Sequence, residues 1–216
     1  MTTFHERIKL QSDPAHRAAE QAPFIDQLMG GVLTTSAYLD YLKTFLPIYQ
    51  RMEELFRERE KEGVLAYFDH RALDRANYIA SDIKVLEDSQ DVKPSHSTFS
   101  SISRYLESLT MDLTDVQLLA HHYIRYLGDL SGGQAISRLV ARHYQVPKSA
   151  LNFYNFDTLG DIVFYKNRYR DLLNLISLTN EKENEFIKEV LKLYELNRDL
   201  FLELGELHKP KIAVNK

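Results

Sequence analysis

Long stretches of this chain repeat apolar residues at spacings of three and four, and few helix-breaking residues interrupt them. This spacing places the apolar side chains on one face of an α-helix. Glycine and proline disfavour helix interiors, and the 216 residues contain only 8 glycines and 6 prolines. Short clusters of turn formers separate seven or eight helical stretches, with no internal repeat and no long linker between them. The pattern predicts one compact, all-α, multi-helix domain.

Caps and breakers place the predicted helices along the chain. We expect helices at about 6–22, 36–61, 72–86, 102–106, 115–144, 159–175 and 180–205. Thr114 is the predicted N-cap of the long middle helix, and Thr179 or Asn180 caps the last one. Pro14 predicts a kink in the first helix or a restart near Ser12–Asp13. The domain is expected at 5–208, followed by a flexible tail at 209–216.

Composition excludes several classes of protein. The chain has no cysteine, so thiolate nucleophiles, iron–sulfur clusters and cysteine zinc sites are excluded, and a metal must be bound by histidine or carboxylate. The net charge of −4 gives no general attraction to nucleic acid. No stretch is apolar enough for a membrane span or a signal peptide, so we expect a cytoplasmic protein. Zincin, P-loop, Rossmann, hydrolase and di-iron bundle motifs are all missing.

The middle helix contains an unusual string, HHYIRYLGDLSGGQ, with Gly128, Gly132 and Gly133 inside six residues. Each interior glycine costs a helix about 1 kcal/mol relative to alanine, so a compensating role is expected. Gly128 and Gly132 share one helix face, which would leave bare backbone on which a flat ligand could lie. The alternative is close packing of a second helix against these small residues.

Polar residues near this string provide candidate ligands and charges. Asp129 lies between two of the glycines, and Arg125, four residues earlier, is a candidate partner; the alternative is a solvated surface pair. His16 is followed by Glu20 one turn later, a spacing that lets a carboxylate hold the far nitrogen of a metal-bound imidazole. Three cations, Lys9 on the first helix and Lys166 and Arg170 on a later one, could bind an acidic group, although such charges usually form a solvated face.

Together these residues identify a family. The glycine string resembles the distal-helix signature of the haem oxygenase family almost residue for residue. The segment around His16 and the later strings FYNF, YKNRYR and LNRDLF occur in the family's order and spacing, so the resemblance covers most of residues 5–207. No C-terminal membrane anchor like that of animal members is expected, and the chain resembles the soluble bacterial type.

The resemblance implies a role for each matching residue. His16 would be the proximal iron ligand, oriented by Glu20. Gly128 and Gly132 would contact the distal face of a haem sandwiched between the first helix and the glycine-kinked distal helix. The residues implied to hold the haem propionates are Lys9, Tyr123, Lys166 and Arg170. The implied catalytic network, which acts through ordered water and delivers protons, consists of Asp129, Arg125, Tyr49 and Asn197.

The resemblance also implies an activity. Haem would be both substrate and cofactor, with O2 as co-substrate and biliverdin, ferrous iron and carbon monoxide as products. Electrons would come from an NADPH-dependent flavin reductase or a ferredoxin, and the protein would act as a monomer without nucleic acid or membrane partners. The alternatives are a non-catalytic haem carrier or sensor and a purely structural helical protein. Asp129 favours the enzyme, because a carrier needs no distal proton relay.

Overall fold

The protein is described here by a computed structural model that covers residues 2–61, 63–68, 70–89, 92–93 and 99–209. Ten α-helices and no β-strand form in these ranges, which confirms the all-α prediction. The helices are α1 (Phe4–Glu20), α2 (Pro23–Met29), α3 (Thr35–Arg59), α4 (His70–Leu73), α5 (Ala76–Glu87), α6 (Ser100–Glu107), α7 (Asp115–Gly128), α8 (Gln134–Tyr144), α9 (Ile162–Leu175) and α10 (Asn180–Leu207). None of the helices in these ranges is long and apolar enough to cross a membrane. Most of the predicted tail, residues 210–216, lies outside the described residues.

Helix α1 begins earlier than predicted and continues through its proline. Thr3 and Glu6 form a capping box: the Thr3 hydroxyl accepts from the Glu6 N–H at 3.3 Å, and the Glu6 carboxylate accepts from the Thr3 N–H at 2.8 Å. The helix then extends over Pro14 to Glu20 without a new start. The predicted restart near Ser12–Asp13 is therefore wrong, and His16 lies on the same helix as Lys9.

The sequence pattern did not predict α2, and it merged α4 and α5 into one helix. Pro23 occupies the first turn of the short helix α2, a position where its missing N–H costs nothing. The single helix predicted at 72–86 is divided into α4 and α5 at Arg75. The Glu53 carboxylate of α3 accepts the N–H groups of Arg75 and Ala76 at 2.6 and 3.0 Å, and so caps α5 from outside its own segment.

The long run predicted at 115–144 is the most informative departure. Thr114 caps α7 as predicted, in a capping box with Gln117. The helix then widens into a π-helical turn at Asp129–Gly133 before α8 begins. Such turns in α-helices occur frequently at functional sites. The glycine string therefore changes the helical geometry from α to π, while the backbone stays helical from α7 into α8; the predicted kink stays a prediction.

Later boundaries depend on local caps. Asp161 accepts from the Phe164 N–H at 2.9 Å and starts α9 at Ile162, three residues after the predicted start. A separate 3₁₀ turn and Gly160, at φ +70°, occupy the intervening residues. The predicted cap Thr179 starts α10, which ends at Leu207.

Helix α10 holds α1 and α7 side by side, because it packs along both of them. Phe186 of α10 contacts Phe4 of α1 and Tyr123 of α7, with ring centroids 5.3 and 5.7 Å apart. Tyr123 also meets the ring of His5 on α1 at 6.4 Å. These aromatic contacts belong to one hydrophobic core. The arrangement brings the predicted proximal and distal helices together around α10.

Candidate functional site

The three glycines of the distal helix have different surroundings. A Cβ atom added to Gly128 or Gly132 would meet no atom of the described residues within 4 Å, and both positions are exposed. A Cβ atom on Gly133 would lie 2.7 Å from Cδ1 of the buried Tyr154 ring. Close packing thus explains Gly133, whereas Gly128 and Gly132 leave bare backbone facing open space. A flat ligand can approach the helix there.

Asp129 lies beside this bare surface and is 8% exposed. The Tyr49 hydroxyl donates to its Oδ2 atom at 2.6 Å. Burial raises the pKa of the Asp129 carboxyl to about 7, although the Tyr49 hydrogen bond and the positive charge of Arg125 act in the opposite direction. A carboxyl group with this pKa can both hold and release a proton near neutral pH.

Arg125 is buried, but it does not form the expected ion pair with Asp129. It donates to Oδ1 of Asn197 on α10 at 2.6 Å, and the described side chains of Arg125 and Asp129 do not come within 4.0 Å of each other. Its guanidinium lies over the rings of Phe45 and Tyr105, 5.0 and 5.8 Å from their centroids. The predicted pairing and the alternative of a solvated surface pair are both wrong. The implied network residues nevertheless lie together, as two buried hydrogen-bonded pairs.

Other tyrosines around Asp129 were not singled out from the sequence. Tyr154 donates to the Tyr41 hydroxyl at 3.2 Å, and the charge of Asp129 helps to raise the pKa of both phenols, after the larger effect of burial. The Tyr105 hydroxyl is buried without a hydrogen-bond partner among the described residues. A buried hydroxyl in this position is a binding point for ordered water. The sequence distinguishes these tyrosines only as aromatic residues with a polar hydroxyl at otherwise apolar positions.

On the proximal side, His16 keeps the predicted relation to Glu20. The His16 Nε2 atom lies 3.2 Å from the Glu20 carboxylate, and the His16 side chain is 42% exposed. Its ring packs edge-on against Tyr194 of α10, with centroids 5.2 Å apart. An accessible imidazole held by a carboxylate is a suitable axial ligand for iron.

The predicted acid-binding residues form a cluster of uncompensated positive charge. Among the described residues, no carboxylate oxygen lies within 4.0 Å of the cationic groups of Lys9, Lys166 or Arg170. The Lys166 Nζ atom reaches the Ser131 hydroxyl at 3.2 Å, beside Gly132. Burial, and then the neighbouring Arg170, lower the pKa of the Lys166 ammonium. Acidic groups of a ligand would relieve this repulsion.

Tyr123 and Lys9 belong to the same region. The charge of Arg170 opposes the burial that raises the Tyr123 pKa to about 12, so the two groups interact. The charges of Arg170 and Lys9 both lower the pKa of the His5 imidazole, after the larger effect of burial. Helix α1 continues through Pro14, so Lys9 lies on the same helix as His16.

The donor set fits a haem group. The accessible imidazole can bind iron, the bare face at Gly128 and Gly132 can accept a flat macrocycle, and the cations can bind its carboxylates. A family model for "Heme oxygenase" matches residues 2–203.

The chain belongs to the haem oxygenase family. It is 29% identical over 202 residues to the heme oxygenase of Guillardia theta, a match that covers 92% of this chain and 84% of the relative. It is 30% identical over 210 residues to heme oxygenase 1 of Homo sapiens, with coverage of 94% and 72%.

Solved haem oxygenase structures have the same fold. The enzyme from Leptospira interrogans superimposes with a TM-score of 0.84 at 28% identity, and the match covers 94% of this chain and all of that one. Heme oxygenase-2 from Synechocystis sp. PCC 6803, solved in complex with heme and NO, gives 0.85 at 25% identity, with coverage of 95% and 86%. Catalytic haem degradation is the activity of the haem oxygenase family, which confirms the prediction of an enzyme.

Proposed function

We propose that this haem oxygenase binds haem between α1 and the distal helix formed by α7, the π-helical turn and α8, with His16 as the residue that would hold the iron and Asp129 as the distal proton-holding group. One observation carries the proposal: exposed bare backbone at Gly128 and Gly132 lies beside a buried carboxyl group whose pKa is about 7. When bound, haem supplies the iron that activates O2 and the ring that is opened, giving biliverdin, ferrous iron and carbon monoxide.

His16 and Glu20 act as a unit on the proximal side. The Glu20 carboxylate lies 3.2 Å from the His16 Nε2 atom and so favours the tautomer that carries its proton on that nitrogen. The edge contact with Tyr194 limits rotation of the ring. The pair therefore leaves the lone pair of the other imidazole nitrogen available to iron.

Asp129 holds and moves a proton at its carboxylate oxygens on the distal side. The Tyr49 hydroxyl fixes one of these oxygens, and the other remains available to ordered water. Arg125 stabilises the ionised carboxylate through its charge, while Asn197 holds the guanidinium in place. Protons would pass between water and Asp129 without a direct contact to the iron.

The cationic cluster binds the propionates and so sets the rotation of haem in its plane. Lys166 and Arg170 lie one helical turn apart on α9, and Tyr123 and Lys9 approach from α7 and α1. Charge-assisted hydrogen bonds give the ring one preferred orientation. That orientation chooses which meso carbon is attacked.

The chain has no cysteine to hold an iron–sulfur cluster, so it has no centre of that kind to supply electrons itself. An NADPH-dependent flavin reductase or a ferredoxin is the proposed donor. The monomeric state and the cytoplasmic location stay predictions.

A ferric haem titration followed by reduction tests the proposal. The protein is titrated while the Soret band is followed, and ascorbate is then added in air with catalase present to remove free peroxide. We expect a saturable band at one haem per chain, which decays as a bilin band rises. A band that persists with competent reductant would instead identify a carrier or sensor.

Variants separate the individual roles. His16→Ala should lose the spectrum of an imidazole-ligated haem, whereas His143→Ala, at an exposed histidine of α8, should retain it. A wild-type ligation spectrum in His16→Ala would refute the assignment of the iron ligand.

A further inference from the structure

His5 lies within the cationic cluster but has no role in the proposal above. It is on the first turn of α1, four residues before Lys9, and is partly buried. Its ring meets Tyr123 edge-on at 6.4 Å, and its backbone N–H donates to Oδ1 of Asn174 on α9 at 2.9 Å. The ring contact with α7 and the backbone hydrogen bond to α9 place His5 beside the helices that carry Tyr123, Lys166 and Arg170.

The imidazole of His5 has unused hydrogen-bonding capacity. Neither ring nitrogen has a hydrogen-bond partner among the described residues. The charged groups that act on it are Lys9 and Glu6 from its own helix and Arg170 from α9, and the phenol of Tyr123 faces it from α7. The Glu6 carboxylate is bound to the Thr3 N–H in the capping box. Positive charge therefore dominates around the ring.

This environment favours the neutral imidazole in the haem-free protein. Burial lowers the pKa of His5, and the charges of Arg170 and Lys9 lower it further, whereas Glu6 acts in the opposite direction. A carboxylate that binds among these groups would raise the pKa of His5, because its negative charge stabilises the imidazolium form.

We propose that His5 is an additional propionate-binding residue, which takes up a proton when the haem carboxylates enter the cluster. The inference rests on the proposed propionate site. His5 is the member of the cluster whose ordinary pKa lies near neutral pH, so it is the member that makes haem binding depend on pH.

The sign of this dependence follows from linkage. A group whose pKa is higher in the complex than in the free protein makes binding tighter as pH falls through the bound pKa, and the gain levels off below the free pKa. Each unit of difference between the two pKa values corresponds to about tenfold in affinity.

The test compares wild type with His5→Gln, using gallium(III) protoporphyrin IX as a redox-inert probe. Both proteins contain His16, so the ratio of their affinities isolates the effect of His5. We expect the wild-type advantage to grow as pH falls from 8 to 6, towards a limit of about tenfold below the free pKa of His5 for one unit of pKa difference. With the dimethyl ester of the probe, which lacks the carboxylates, the ratio should not change with pH. His143→Gln is the matched control and should behave as wild type.

An NMR titration of the His5 imidazole measures the proposed event directly. Its pKa should rise when the probe binds; an unchanged or lower pKa overturns the inference, as does an affinity ratio that is independent of pH for the free acid. Failure of the wild type to bind the probe at any pH would overturn the proposed haem site itself. These outcomes therefore distinguish a failure of the His5 proposal from a failure of the proposed haem site.

Discussion

Gly132 and Gly133 are neighbours in the same helical turn, but alanine should have opposite effects at the two positions. The Cβ atom of Gly132→Ala enters open space, so the free energy of unfolding should rise by up to about 1 kcal/mol from helix propensity. The Cβ atom of Gly133→Ala would lie 2.7 Å from the Tyr154 ring. That ring cannot easily withdraw, because it packs on Phe153 at 4.3 Å and bonds to Tyr41.

Overpacking of a core costs about 1–3 kcal/mol, and a constrained ring places Gly133→Ala at the upper end. After the gain of about 1 kcal/mol in helix propensity, the net loss is about 2 kcal/mol. The two variants should therefore differ by about 3 kcal/mol in urea unfolding, with similar m-values. Equal stabilities, or a less stable Gly132→Ala, would refute the division of the glycines into a packing residue and two residues that face open space.

Further predictions concern haem binding and proton transfer. Gly132→Leu should fold but lose haem binding by collision with the macrocycle, and an unchanged haem spectrum would contradict this. Asp129→Ala should bind haem normally while biliverdin formation falls steeply, so a normal yield would remove Asp129 from the proton relay. Because the pKa of Asp129 is raised from 3.8 to about 7, the unfolded chain releases this proton first, and stability falls as pH rises between these values. Asp129→Asn should reduce that slope by up to about 1.4 kcal/mol per pH unit in urea unfolding, whereas an unchanged slope would mean that Asp129 is ionised throughout. Lys166→Ala and Arg170→Ala should change the ratio of biliverdin isomers, measured by chromatography, and wild-type ratios in both would contradict a role in orienting haem.

Features that depend on neighbouring residues were predictable from the sequence. Thr114 and Thr179 cap their helices as expected, because an N-cap contacts residues within its own first turn. His16 meets Glu20 because residues four apart share a helix face. The glycine string predicted an irregularity in the distal helix, which the structure shows as a π-helical turn. The family signature around it predicted the fold and the activity.

The tertiary structure decided which distant groups meet. Asp129 is bonded to Tyr49, 80 positions away, and Arg125 to Asn197, 72 positions away, rather than to each other. Glu53 starts a helix to which it does not belong.

The sequence could not distinguish Gly133, which packs against Tyr154, from Gly132, which faces open space. It determined the helices and much of the chemistry they carry, because spacing along one helix fixes which of its residues share a face. Contacts between helices depend on their crossing angles and register, which the packing of the whole core sets. Burial, the Asp129 pKa and the position of His5 among the cations were therefore decided only when the helices packed together.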